Sequence, residues 1–286
     1  MISGRDVLNS ILPPRPADSH KGNYGTVLLV AGSVGFTGAA YLASEAAVRG
    51  GAGLVFLAVP QSIYPILAQK TVSAMAFPVP DCENGIITSA ALDRIGQKLT
   101  RANAMVLGCG LGRSPEACKT VFSLVSSAEV PVVLDADGIN SFEGNIDKLK
   151  GRDLILTPHE GELARLGFVR KNGETRAEAA LRAAVAFGAV TVFKGSGSAV
   201  AAPDGRVFVN TTGNPGMARG GSGDILAGLI GAFLAQGADS FSAASAAVYV
   251  HGLAGDMAKA EMGEVGMDSS DILRFVPRAL KESLGR

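Results

Sequence analysis

Short apolar runs rich in β-branched residues recur along the chain, at Thr26–Ala31, Leu54–Val59, Met105–Leu107, Val132–Leu134, Leu154–Leu156 and Val190–Phe193. Their hydrophobicity is nearly continuous rather than alternating, which predicts strands covered on both faces. Between them, helical patterns run over Ala39–Arg49, Ser89–Leu99, Glu116–Ser126 and Thr175–Phe187. Strand and helix in alternation predict βαβ units and a parallel sheet. One stretch breaks this rhythm. Ser198–Ala202 and Val207–Asn210 flank Pro203, Asp204 and Gly205, which predicts an antiparallel hairpin with a tight turn. Mostly helices follow, over Asp224–Gln236, Ser242–Ala260 and Ser270–Ser283. The expected fold class is α/β: a largely parallel central sheet flanked by helices, with an antiparallel hairpin. No linker-like stretch or repeat divides residues 1–286, so a single domain is expected.

Composition narrows the partners. Lysine plus arginine equals aspartate plus glutamate at 26 each, so no long-range positive field draws the protein to nucleic acid or anionic lipid. The longest apolar run, Ile225–Ala235, falls short of the roughly 20 residues a membrane helix needs. The start of the chain lacks the basic and apolar regions of a signal peptide. No membrane or nucleic-acid partner is expected, and the location expected is cytoplasmic. Cys82, Cys109 and Cys118 form no CxxC pair, which argues against a disulfide framework or a zinc site.

The segment richest in chemistry is Asn210–Asp224, which runs from a strand end through a glycine-rich loop into an apolar helix. Backbone N–H groups of Gly220, Gly221, Ser222 and Gly223 at a helix start converge on one point. The helix dipole adds partial positive charge, so the turn suits phosphate oxygens. Asp224 follows directly. A carboxylate at a helix start is stabilised in its charged form and is a weak base in isolation, so a general-base role is expected to come from position.

Other strand ends also lead into glycine, polar or charged residues. Thr157-Pro-His-Glu-Gly-Glu162 follows one strand, with His159 and Glu162 as candidates and Thr157 as a helix cap. Lys194, Gly195, Ser196, Gly197 and Ser198 follow another and offer hydroxyls and open backbone to a base, ribose or phosphate. Gly108-Cys-Gly-Leu-Gly112 and Asp135-Ala-Asp-Gly-Ile-Asn140 follow two more. A single crevice would collect all of them. Gly32–Gly38 lacks the GxGxxG spacing, and no GxxxxGK[ST] occurs, so neither a Rossmann dehydrogenase nor a P-loop is indicated. His251, inside an apolar helix, is expected to be a hydrogen-bonded structural histidine.

Taken together, His20-Lys-Gly-Asn-Tyr-Gly25, Gly38-Ala-Ala40, GCGLG, DADGIN, LTPHEGE, KGSGS, GNPGMARGGSGDILAG and YVHGLAGD resemble, in order and spacing, the ADP-dependent (S)-NAD(P)H-hydrate dehydratases of the ribokinase-like superfamily. The resemblance covers nearly the whole chain. It implies repair of NADHX and NADPHX, cofactors inactivated by water added at C6 of the nicotinamide ring, with ADP as co-substrate and Mg2+ as cofactor.

On this resemblance Asp224 takes the hydroxyl proton and also touches the hydrate. Gly220–Gly223 receive the transferring phosphoryl group, and Lys194–Ser198 together with Gly223 hold the adenine nucleotide. Ala39, Gly110 and His159 line the hydrate site, and Glu162 is an outer-sphere contact to magnesium. A homotetramer is implied. The residues before His20 are too few for the epimerase domain that many members carry, so the epimerase is expected to be a separate protein. Arg219 and Cys109 stand where the family commonly has threonine and proline. Two rival readings use the same turn and carboxylate: a ribokinase-like kinase of a small alcohol, and a catalytically silent nucleotide sensor.

Overall fold

The computed structural model describes residues 3–82 and 84–286. Among the described residues nine strands lie in one sheet: β1 (Thr26–Val30), β2 (Leu54–Pro60), β3 (Met75–Val79), β4 (Ala104–Leu107), β5 (Val132–Leu134), β6 (Leu154–Leu156), β7 (Val190–Phe193), β8 (Ala199–Ala201) and β9 (Val207–Val209). The order is β3-β2-β1-β4-β5-β6-β7-β8-β9. Pairing is parallel from β3 to β7 and antiparallel from β7 through β8 to β9. This is the architecture expected, with one strand more than the pattern indicated. Strand β3 carries Pro78 and lies at the sheet edge, where a missing N–H costs no ladder bond; its weak signal has that origin.

Among the described residues eleven α-helices surround the sheet: α1 (Gly4–Ile11), α2 (Thr37–Arg49), α3 (Tyr64–Lys70), α4 (Leu92–Leu99), α5 (Pro115–Ser127), α6 (Asp137–Asn140), α7 (Glu160–Arg165), α8 (Arg176–Phe187), α9 (Ser222–Ala235), α10 (Ser240–Met262) and α11 (Ser269–Leu284). Two apolar layers result, one on each sheet face. One packs α1, α2, α9, α10 and α11 on the sheet, and the other packs α4, α5 and α8. Among the described residues no helix is long and apolar enough to cross a membrane.

Helix α9 explains its own sequence. It is apolar all round because it is buried all round, between the sheet and α2 and α10. Two glycines set its depth. A Cβ on Gly228 would stand 2.1 Å from the Ala43 carbonyl oxygen, and one on Gly231 would stand 2.4 Å from Val106 Cγ2. Any side chain there would push α9 away from α2 and β4, and would move the residues at its N-terminus.

The His20–Gly25 segment serves the opposite end of the sheet from the strand carboxyl ends. A Cβ on Gly25 would lie 1.8 Å from the Ala235 carbonyl oxygen, so the segment's glycine is a packing requirement. His20, Asn23 and Tyr24 help line a cavity of about 870 Å3 there. Helix C-termini meet at this cavity, and its cations answer their carbonyls: Arg15 donates to Gly51 O at 2.6 Å and stacks on the Tyr24 ring at 3.6 Å. The cavity holds none of the expected catalytic residues.

Candidate active site

The strand order reverses between β1 and β4, with β2 on one side and β5 on the other. In open α/β sheets the crevice at such a point, outside the strand carboxyl ends, takes ligands. Five adjacent parallel strands deliver side chains to it: β1 leads to Ala39, β4 to Cys109 and Gly110, β5 to Asp135, β6 to Thr157 and His159, and β7 to Lys194. At ~4.8 Å per strand these ends span roughly 20 Å, room for two ligands side by side.

Ala39 and Gly110 are brought together. A Cβ on Gly110 would lie 2.9 Å from Ala39 Cβ and 2.8 Å from Phe36 Cβ. Ser33 Oγ donates to Gly110 O at 2.8 Å and Gly32 N–H to Cys109 O at 2.8 Å, which ties the two loops together. Gly110 is open backbone at φ 62.

The glycine turn forms the N-terminus of α9. Gly221, at φ 93, is the residue before the first helical one. A Cβ there would meet Leu42 Cδ1 at 2.5 Å. Ser269 Oγ donates to Gly220 O at 2.7 Å, which anchors the turn to α11. The first intrahelical bond to the turn runs from Ile225 N–H to Gly221 O. The N–H groups of Gly223 and Asp224 are thereby left without a helical acceptor, in the arrangement that suits an anion. Ser222 turns its hydroxyl inward to His251 Nε2 at 3.2 Å, and its N–H donates to Arg219 O at 3.4 Å. His251 is the structural histidine expected. Burial lowers its pKa to about 4, against a smaller opposing effect of its contact with Ser222.

Lys194, expected to help hold the nucleotide, lies on the floor of the crevice. Its ammonium turns inward, 2.8 Å from Asp135 Oδ1 and 3.5 Å from Glu162 Oε2. A Cβ on Gly223 would lie 3.3 Å from that nitrogen, so the charge lies directly behind the anion turn. Burial alone would lower the Lys194 pKa; Asp135 and then Glu162 outweigh it and hold the side chain charged. Gly195–Ser198 form a compact exposed turn, closed by Gly195 N–H to Ser198 Oγ at 3.1 Å and Ser198 Oγ to Gly195 O at 2.8 Å. Arg176, not indicated by the sequence, braces this turn. It donates to Lys194 O at 2.7 Å and stacks on Phe193 at 4.4 Å.

His159 and Glu162 form a mutual cap on α7. His159 Nδ1 accepts from Gly161 and Glu162 N–H, and Glu162 Oε2 accepts from His159 N–H at 2.8 Å. Thr157, expected to cap, is instead fully buried and donates to Asp135 Oδ1 at 2.5 Å. The cap belongs to His159 because Thr157 is drawn into the charged floor. The carboxylate of Glu162 is nearly buried at 6% exposure and is committed to His159 and Lys194. It therefore fits Mg2+ only through an intervening water.

Asp224 meets two groups that sequence reading did not connect to it. Cys109 Sγ, one Asp135 oxygen and one Asp224 oxygen lie within 4.8 Å of one another. Cys109 is buried, with Sγ 3.7 Å from Asp135 Oδ2. Burial raises its thiol pKa well above normal, as do Asp224 and Asp135. Burial also pushes Asp135 up, but Lys194 and the hydroxyl of Thr157 outweigh that and hold it below the ordinary carboxylate value. Asp224 goes the other way. Burial first, then the charge of Asp135, raise it to about 7, against opposing contributions from Cys109 and Lys194. This corrects the expectation of a carboxylate acting by position alone: desolvation and a like charge overcome the helix N-terminus. A base poised near neutrality is matched to proton abstraction at physiological pH.

A family model described as NAD(P)H-hydrate dehydratase matches residues 27–278. A bifunctional NAD(P)H-hydrate repair enzyme from Moorella thermoacetica is 42% identical over 276 residues, covering 95% of this chain and 52% of the relative. The chain thus spans about half the length of such bifunctional relatives. An ADP-dependent (S)-NAD(P)H-hydrate dehydratase from Neisseria meningitidis is 38% identical, covering 88% of this chain and 83% of the relative. Among solved structures, the ADP/ATP-dependent NAD(P)H-hydrate dehydratase of Bacillus subtilis, co-crystallised with ATP and Mg2+, aligns at TM-score 0.80 with 30% identity, covering 98% of this chain and 97% of that one.

Proposed function

The chain belongs to the NAD(P)H-hydrate dehydratase family, and on that premise we propose that it converts (S)-NADHX and (S)-NADPHX back to NADH and NADPH with ADP, releasing AMP and phosphate. The observation that supports this best is the meeting, at one point of the crevice, of a phosphoryl receptor and a base: the Gly220–Gly223 turn backed by the Lys194 ammonium, and Asp224 raised to about 7.

The chemistry uses both. Asp224 removes the proton of the C6 hydroxyl as that oxygen attacks the β-phosphorus of ADP, and AMP leaves. Backbone N–H groups of the turn and the charge of Lys194 stabilise the transferring group. Phosphate is a far better leaving group than hydroxide; the ring nitrogen expels it, and loss of a C5 proton restores the dihydropyridine.

Ala39 and Gly110 shape the hydrate side of the crevice, with His159 at its margin. Gly195–Ser198 support the nucleotide, with Arg176 holding their turn. Mg2+ would be held mainly by the nucleotide phosphates and would neutralise their charge, with Glu162 reaching it through water. One ribokinase-like domain, a cytoplasmic homotetramer, and an NAD(P)HX epimerase as functional partner complete the proposal. The bifunctional relatives support the last of these.

The test is product identity. With NADHX, ADP and Mg2+, reduced-nicotinamide absorbance should return with one AMP and one phosphate per turnover. A stable phosphoester in place of phosphate would make the protein a kinase, and nucleotide binding without turnover would make it a sensor.

A further inference from the structure

We propose that Asp135 is a positioning residue of this reaction: pinned by Lys194 and Thr157, its fixed negative charge sets the proton affinity of Asp224 across the floor of the crevice. The proposal rests on the reading of Asp224 as the base.

The geometry is that of a carboxylate pair with unequal environments. Asp135, at the end of β5, is 2% exposed. Three contacts hold it ionised and immobile: Lys194 Nζ at 2.8 Å, Thr157 Oγ1 at 2.5 Å and Cys109 Sγ at 3.7 Å. Among the described residues no ammonium or hydroxyl is hydrogen-bonded to the Asp224 carboxylate as Lys194 and Thr157 are to Asp135, and its oxygen shares the 4.8 Å cluster with Asp135 and Cys109. Two carboxylates this close do not ionise with equal ease. The one with the ammonium and the hydroxyl keeps its charge, and the other is left holding its proton more tightly. Lys194 serves twice: it fixes Asp135, and it sits behind Gly223 where the phosphoryl charge arrives.

The other groups around Asp224 do not replace Asp135 in this role. Cys109 from the end of β4 is neutral, its pKa raised well above normal. Asp137 of α6 accepts from Gly112 N–H at 2.9 Å and lies 3.4 Å from Arg113, so its charge is partly answered. Glu162 of α7 is paired with Lys194 at 3.5 Å. From α10, His251 is neutral and faces Ser222. Helices α2 and α11 present Leu42 and Ser269 to the turn, neither of which titrates.

The test is the Asp135→Asn variant, which retains the acceptor oxygen and removes the charge. The acid limb of kcat/KM should move down by about one pH unit or more, with kcat reduced and KM for ADP little changed. A purely structural role would lower stability and leave the limb in place. Lys194→Gln should move the limb the opposite way. Carboxyl 13C titration of Asp224 in the free protein reads the same shift without turnover, so a failure of the dehydratase reading and a failure of this inference are distinguishable. Should Asp135→Asn not fold, the wild-type titration decides: Asp224 must titrate near neutrality while Asp135 titrates below the usual carboxylate range. An acid limb unmoved in Asp135→Asn, or an ordinary Asp224 titration in the wild type, overturns the proposal.

Discussion

His251 Nε2 lies 3.2 Å from Ser222 Oγ, a contact that ties the middle of α10 to the anion turn at the start of α9. Removing the ring as His251→Leu leaves a buried hydroxyl unpaired, which costs about 1–3 kcal/mol. Thermal denaturation should show the loss, and the KM for ADP should rise as the turn loosens. An unchanged melting temperature would mean that the contact contributes nothing.

The same histidine makes the protein acid-sensitive. Its folded pKa is about 4, below the ordinary histidine value of 6.5, so the unfolded chain binds the extra proton first. Its contribution to stability is complete above pH 6.5 and is lost as pH falls from there through about 4, on the order of 3 kcal/mol in all. Urea titrations between pH 7 and 4.5 should show a decline that is shallower in His251→Leu.

Asp224→Asn is expected to trade function for stability. Turnover should fall by roughly 10²- to 10⁴-fold, the range of general-base catalysis. Because the folded pKa of Asp224 is raised from 3.8 to about 7, the wild type loses stability as pH rises through that window. The variant should therefore be more stable at pH 8, by about 1–3 kcal/mol, and similar near pH 4. Paired denaturation curves at the two pH values measure the difference.

Arg176→Ala separates nucleotide support from chemistry. The guanidinium braces Lys194 O and packs against Gly195, so its loss should raise the KM for ADP by about tenfold, the equivalent of 1.4 kcal/mol, with kcat changed less. Steady-state kinetics at saturating hydrate give both numbers, and a fall in kcat alone would contradict this placement.

Gly228→Ala is expected to destabilise by about 1–3 kcal/mol or more, since the added Cβ would stand 2.1 Å from backbone at Ala43. Gly223→Ala should leave the fold nearly intact, because the atom its Cβ approaches at 3.3 Å is the end of the Lys194 side chain. That variant should instead lose activity, as the added methyl presses on the Lys194 ammonium that backs the anion turn. Chemical denaturation and turnover together should place the two glycines in opposite classes.

Much of this protein was legible in its residues. Eight of the strands carried a sufficient apolar run, and α9 announced its burial through Ile225–Ala235. Strand β3 did not, because Pro78 and a half-exposed edge weaken the pattern. Helices α1 and α3 are only eight and seven residues long and were not picked out from the sequence. In the crevice, the backbone donors at Gly220–Gly223 followed from chain-local geometry, whereas Arg176 gave no signal: a helix-start arginine is commonplace unless one knows which strand end it faces.

By itself the sequence determined the α/β class, the strand ends that form the crevice, the glycine turn that opens α9, and the carboxylate beside it. These depend on backbone preference and on which face of an element is apolar, and both are written in neighbouring residues. Only the tertiary structure decided that Lys194 turns inward to Asp135, that Cys109 and Asp135 stand against Asp224, and that Asp224 is raised to about 7 rather than held low by its helix. Proton affinity depends on desolvation and on distances between charges carried by different strands, and the packing of α9 on the sheet sets those distances.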